Sequence, residues 1–123
     1  MRLLSLFLVC FCLLSCADTK PLNRYTNTNK KQGVWIEIID SASVAFERVR
    51  YNEGIKEGKS EMYLKDNSIA VGKYHNNKKH GAWKYYKIKE LLKIEYYTEG
   101  YVTRIEFIEN GKVKNQVITD PTF

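Results

Sequence analysis

Past residue 16 the chain has no cysteine at all, since its three thiols are Cys10, Cys12 and Cys16. The segment that follows therefore has no thiol for a disulfide, a metal site or a nucleophile, even in a compartment that would permit disulfides. Histidine is scarce too: His75 and His80 flank one turn, with no acidic residue at ligand spacing, so they read as solvated turn residues and no metal is expected. No glycine loop of the phosphate-cradling kind occurs. The acidic residues are scattered, as Glu53 and Glu57, Glu90 and Glu95, Glu106 and Glu109, alternating with lysines. A carboxylate pair could work as acid and base if a cleft raised one pKa, but a run of short turns offers no cleft. The sequence points away from an enzyme and calls for no cofactor.

What is present begins with an export signal. Met1-Arg2 is a short positive stretch, and residues 3–14 form an apolar run too short to span a bilayer as a mature helix. Leu13-Leu14-Ser15-Cys16 closes it, and the chain turns polar at once with Ala17-Asp18-Thr19-Lys20. That order of charge, apolar run, small residue and cysteine resembles the bacterial lipobox, in which the cysteine is diacylated and becomes the mature N-terminus. The resemblance implies a signal peptide over 1–15 and a lipid on Cys16. An ordinary secretory signal cleaved near Ala17 is the competing reading. Cys10 and Cys12 would leave with the signal. Ala17 after the cysteine, with no aspartate there, leans towards the outer membrane by the sorting rule of enteric bacteria.

The formal charge of +6 falls by one when Arg2 leaves. In a cytosolic protein such a balance would raise nucleic acid as a partner, but an anchored, exported chain has little access to it. Its anionic neighbours are phospholipid head groups, lipopolysaccharide or acidic glycans; alternatively the charge only keeps a sheet soluble. Residues 16–31 are polar without apolar period and read as a tether. About 15 such residues reach roughly 50 Å stretched and ~20 Å as a coil.

From residue 32 to 118 one unit recurs, and residues 119–123 are left as a tail. Asn77-Lys78-Lys79-His80-Gly81-Ala82-Trp83 nearly repeats Asn29-Lys30-Lys31-Gln32-Gly33-Val34-Trp35. A worn copy, Gly54-Ile55-Lys56-Glu57-Gly58-Lys59-Ser60, falls between them. Tyr51, Tyr74 and Tyr97 follow one another at intervals of 23. A fixed period of this length means one small supersecondary unit in tandem. Short aromatic and β-branched runs at 35–39, 44–51, 59–64, 69–74, 82–87, 91–97, 101–108 and 113–118 alternate with Gly/Asn/Asp turns. They predict successive antiparallel hairpins with no crossover helix, an all-β meander in a single extended sheet.

Residues 84–97 compete as a helix, because Tyr85, Ile88, Leu91, Leu92 and Tyr96 sit at nearly helical spacing. The repeat register sides with strand-turn-strand, since Tyr86 and Leu92 stand where Tyr63 and Ile69 do. Alternation then puts Trp83 and Tyr85 on one face and Ala82, Lys84 and Tyr86 on the other. The next strand lines up Leu92, Ile94 and Tyr96 with Ile69 and Val71. One face is expected to be an aliphatic-aromatic stripe and the other to carry Lys, Glu and Tyr. Gly58 and Gly81 are expected to take φ > 0 at turn ends.

The pattern carried by Asn29, Gly33 and Trp35, by Gly54, Gly58 and Tyr63, by Asn77, Gly81, Trp83 and Tyr86, and by Gly100, Phe107 and Gly111 resembles the bacterial variant of the MORN repeat. Ser60 departs from it in place of tryptophan, and Arg104 and Asn115 in place of glycine. The resemblance implies an extended sheet of hairpins serving as an interaction scaffold or lipid-binding surface; proteins with such repeats often carry the label of a YwqK-like antitoxin. The candidate binding run is 73–89, where Lys78, Lys79, Trp83, Lys84 and Tyr86 put cations beside aromatic rings. Such neighbours stack on sugars or sit at lipid head groups, although the same rings are the repeat's packing residues. The expectation is an envelope lipoprotein binding another envelope component, a protein, an anionic lipid or a glycan. The alternative is an antitoxin or immunity-like protein that neutralises its partner by contact.

Overall fold

The computed structural model describes residues 21–119. The expected signal peptide, the Cys16 anchor, the first part of the tether and the last four residues of the tail lie outside the described residues. Among the described residues nine strands form one sheet: β1 (Arg24–Tyr25), β2 (Lys31–Ile38), β3 (Val44–Asn52), β4 (Ile55–Leu64), β5 (Ile69–His75), β6 (Lys78–Lys87), β7 (Glu90–Thr98), β8 (Tyr101–Glu109) and β9 (Lys112–Ile118). They lie in chain order, each antiparallel to the next. The expected all-β meander in a single extended sheet is the architecture found. Residues 84–97, where helix competed with hairpin, are β6, a two-residue turn and β7.

Two local expectations are corrected. The tether was expected to run to residue 31, yet Arg24–Tyr25 pairs with Lys31 and Gln32 as β1. What holds it is specific: Asn23 N donates to Val34 O at 3.0 Å, and its side-chain oxygen accepts from Ile36 N at 2.9 Å. The turns are also tighter than the sequence suggests. Residues 52–58 and 75–81 looked like loops, but they contain two-residue turns, Glu53-Gly54 and Asn76-Asn77, with φ > 0 at both positions. This is the primed geometry whose twist matches paired strands.

The glycines expected at turn ends lie inside strands instead. Arg50 faces the three residues around Gly58, and Gly72 faces the three from Gly81 to Trp83, where the pairing registers slip. At these bulges φ is +94° and +69°, a region costly for residues with a Cβ.

Strand pairing gives each face its rows. On one face Glu37, Glu47, Met62, Ala70, Tyr85, Lys93, Phe107 and Asn115 stand directly opposite one another across eight strands. Trp35, Val49, Ser60 and Gly72 form the neighbouring row. On the other face run Ile36, Arg48, Glu61, Val71, Lys84, Ile94, Glu106 and Gln116. The expected split into an apolar face and a charged face is therefore not found, because both rows interleave apolar and charged side chains. Leu92 does not join Ile94 and Tyr96. It is the extra residue of a bulge between the Tyr85–Lys93 and Tyr86–Leu91 pairs.

The core lies on the tryptophan face: Trp35, Val49, Tyr51, Met62, Ala70, Tyr74 and Trp83. Trp83, Val49, Ala70 and Glu47 are completely buried although, among the described residues, no second layer covers them. One groove on this face is lined from Val44 on β3 to Phe107 on β8. Five strand spacings would span about 24 Å if flat, so the sheet curls around its tryptophans.

Packing against Gly72 is close enough to test. An added Cβ would stand 2.2 Å from Cδ2 of the Trp83 ring. Gly72→Ala is expected to lower stability by about 1–3 kcal/mol, the usual cost of overpacking, as a fall in thermal midpoint; an unchanged midpoint would contradict the stacking of indole on bare backbone. A second test concerns the β6–β7 turn, where Ile88 and Lys89 hold φ of +50° and +61°. A β-branched residue is strained there, and Ile88 is 92% exposed. Ile88→Asn with Lys89→Gly is expected to stabilise the fold by about 1 kcal/mol in urea denaturation.

Candidate functional site

The repeat builds the same arrangement twice. Trp35 stands between Tyr25 and Tyr51, with ring centroids 4.8 and 6.2 Å away and the rings edge-on. Trp83 stands between Tyr74 and Tyr97 at 5.3 and 6.4 Å, again edge-on. Each indole N–H donates to a carbonyl of the preceding strand, Trp35 to Arg24 O at 3.2 Å and Trp83 to Lys73 O at 3.1 Å. Above each pair lies the lysine four residues earlier. Lys31 Nζ is 4.7 Å from the Trp35 ring and 5.0 Å from Tyr51; Lys79 Nζ is 4.7 Å from Trp83 and 5.0 Å from Tyr97.

The middle copy keeps the lysine and loses the indole. Lys56 Nζ lies 4.8 Å from Tyr74, and Glu47 comes from β3 to meet Ser60, which occupies the tryptophan position. Ser60 Oγ donates to Glu47 at 2.7 Å and Lys56 Nζ at 3.0 Å. Ser60 and Glu47 are both wholly buried. The serine, which looks like decay of the repeat in the sequence, is the donor that makes a buried carboxylate tolerable.

Carboxylates bind the boxes together. Glu37 accepts from Lys31 Nζ at 2.5 Å and from the Tyr51 hydroxyl at 2.8 Å. Burial alone would raise the Glu37 pKa, but Lys31 and Tyr51 outweigh it and hold the carboxyl below its ordinary value. Glu95 accepts from Lys93 at 2.8 Å, Tyr97 at 2.6 Å and Tyr85 at 3.1 Å. There too burial pushes upward and these partners prevail, leaving the pKa lowered. The phenols of Tyr51, Tyr74, Tyr85 and Tyr97 are pushed well above the ordinary value, by burial first and by the neighbouring carboxylates next.

Lys79 differs from its two counterparts. Lys31 has Glu37 and Lys56 has Glu47, but the position of Glu37 in the later copy is occupied by Tyr85. Among the described residues no carboxylate is paired with Lys79 Nζ. Burial lowers its pKa, and the charges of Glu95 and Glu47 offset this only in part.

The sequence-derived binding run is divided by the sheet. Lys79 and Trp83 share the tryptophan face. Lys84 and Tyr86 point from the opposite one, opposite Val71 and Ile69. Lys78 also lies on that side, 3.6 Å from Glu99. The five residues therefore do not form one patch. Tyr25 was missed altogether, because the 23-residue tyrosine interval extended backward from Tyr51 falls on Thr28 and gives it no signal.

His75 and His80 are 5.9 Å apart between ring centroids. Contrary to the sequence reading, an acidic residue does reach one of them, His75: Glu57 accepts from Asn76 N at 2.7 Å and lies 2.9 Å from His75 Nδ1. The pairing crosses from β4 to β5, which residue spacing conceals. Among the described residues no group of three or more His, Cys, Asp or Glu is placed to hold a metal ion.

The lowered carboxylates set the acid limit of the fold. Their folded pKa lies below the ordinary 4.5, so their stabilisation is complete above about pH 5 and lost as pH falls through the folded value. The raised phenols act with the opposite sign: their contribution is complete below pH 10 and lost above it. Denaturation across pH is expected to show stability falling below about pH 5 and again above pH 10, with Glu95→Gln flattening the acid limb. An acid limb unchanged in that variant would contradict the role given to Glu95.

No protein-family model, no curated protein and no solved structure matches the chain.

Proposed function

We propose that this chain is a lipoprotein of a bacterial cell envelope, anchored in the outer membrane through Cys16. Its MORN-like sheet acts as a binding module for another envelope component. The observation that carries the binding half is the single open layer. A nine-stranded sheet that no layer covers among the described residues offers two broad faces, and one of them sets rings, cations and carboxylates at fixed spacing. Such a surface suits recognition, where aromatic rings give area and cations give direction. The anchor half rests on the sequence before residue 17, with its short positive start, apolar run and Ser15-Cys16 close.

Within this reading Lys79 and Trp83 are the binding pair on the tryptophan face. Lys84, Tyr86 and Lys78 belong to the other face and would meet a different part of a partner, or a different partner. A net positive balance favours an anionic one.

The anchor is tested by detergent phase partition of wild type and Cys16→Ser in a Gram-negative host fed labelled palmitate. Wild type is expected to carry label into the detergent phase and Cys16→Ser to carry none. Both forms unlabelled and soluble in the cytoplasm would overturn the anchor.

A further inference from the structure

Beside the Lys79 box the tryptophan face opens into a groove of about 500 Å³. Its floor and walls are Val44, Met62, Leu64, Tyr85, Leu92 and Phe107, with Lys79 and Lys93 among the lining residues. A volume of this order is that of a small-molecule site. Two of its apolar residues remain open to solvent, Leu92 at 39% and Phe107 at 40% exposure. Leu92 is brought here by the bulge described above, which diverts it from the row of Ile94 and Tyr96.

The ion pairs of this face leave one ammonium over. Its cations in the three boxes and beside the groove are Lys31, Lys56, Lys79 and Lys93, and the carboxylates that meet them are Glu37, Glu47 and Glu95. Lys31 is taken by Glu37, Lys56 by Glu47 and Lys93 by Glu95. The ammonium in none of these ion pairs is that of Lys79, at the groove. Asp66 also lines the groove, but it is turned onto Ser68, accepting from Ser68 N at 2.9 Å and from its hydroxyl at 2.5 Å.

The internal repeat makes this informative. Two lysines at the same repeat position carry a carboxylate of the chain, and the third has Tyr85, a wall of the groove, where Glu37 stands in the first copy. A half-buried ammonium whose burial is only partly offset by more distant carboxylates is costly, and a bound anion would supply the direct pairing that Glu37 and Glu47 give elsewhere.

We propose that the groove binds a single-chain amphiphile with a carboxylate head, of the fatty-acid class, its head at Lys79 and its tail along Met62, Leu64, Tyr85, Leu92 and Phe107. An acyl tail suits this lining better than a peptide does, because a peptide backbone needs hydrogen-bond partners that these side chains do not offer. The inference rests on the binding-module reading of the sheet and is independent of the Cys16 anchor.

The test uses the chain expressed from residue 17, which retains every described residue, so its outcome does not depend on lipidation. Laurate is added below its micelle concentration, and the two indole N–H signals are followed by NMR. Saturable shifts are expected at Trp83, beside Lys79, and not at Trp35, whose lysine is already paired. Lys79→Met is expected to weaken laurate binding at least tenfold, and Lys59→Met, on the opposite face and paired with Glu61, less than twofold. Leu92→Asn, altering a partly exposed side chain, should also weaken it with the spectrum otherwise unchanged. Acetate, which lacks the tail, and dodecyltrimethylammonium, which reverses the charge, should each bind at least tenfold more weakly than laurate. Equal binding by either of them, equal shifts at both indoles, or unaltered affinity in Lys79→Met would overturn the proposal. The palmitate-labelling result for Cys16 would stand in any of those cases.

Discussion

A β-sheet that has no second layer must find cover for its large side chains on its own surface, and here that cover is a lysine laid across aromatic rings. The ammonium of Lys31 or Lys79 rests at nearly the same distances over a tryptophan and the next tyrosine, while the four-carbon stem shields the rings from water. Each such contact contributes on the order of 0.5–2 kcal/mol. The more important effect is geometric. Curling the sheet brings rings, stems and carboxylates into one continuous layer, and that layer buries Trp83 completely.

The polar part of this layer works only as a whole. Glu47 is wholly buried and stands directly opposite Glu37 on the neighbouring strand. Two carboxylates in that position repel each other, so each needs its own donors: Lys31 and Tyr51 for Glu37, Lys56 and Ser60 for Glu47. Removing one donor would leave a buried acceptor short, which costs more than the bond itself contributes. This explains why the middle copy, with no tryptophan, still belongs to the array: its hydrogen bonds occupy the volume that an indole fills in the other two.

The strands could be read from the sequence because alternation and turn residues are local signals. Glu99-Gly100 and Asn110-Gly111 mark two-residue turns almost by composition, whereas Asn76-Asn77 is hidden in the longer run 75–81, and the tyrosine interval supplies the register. The candidate site was harder to read, because its members are neighbours across strands. Lys78, Lys79, Trp83, Lys84 and Tyr86 are adjacent in the chain and fall on opposite faces. Glu47 meets Ser60 only because β3 and β4 pair, and Glu57 meets His75 only because β4 and β5 do. The lysine of each box was in plain view at residues 31, 56 and 79, four positions before the tryptophan or its substitute. Its role could not be inferred without the strand pairing that sets the neighbouring tyrosine beside each box.

The strand order carries a different implication. Every strand pairs only with those before and after it in the chain, so each hairpin can close as soon as its own residues are available, without waiting for a distant segment. Contacts of this kind keep loop-closure entropy small and let ordering spread from any hairpin to the next. For the same reason injury stays local: β9 supports only β8, and the array can fray from that end while the paired tryptophan boxes hold further in.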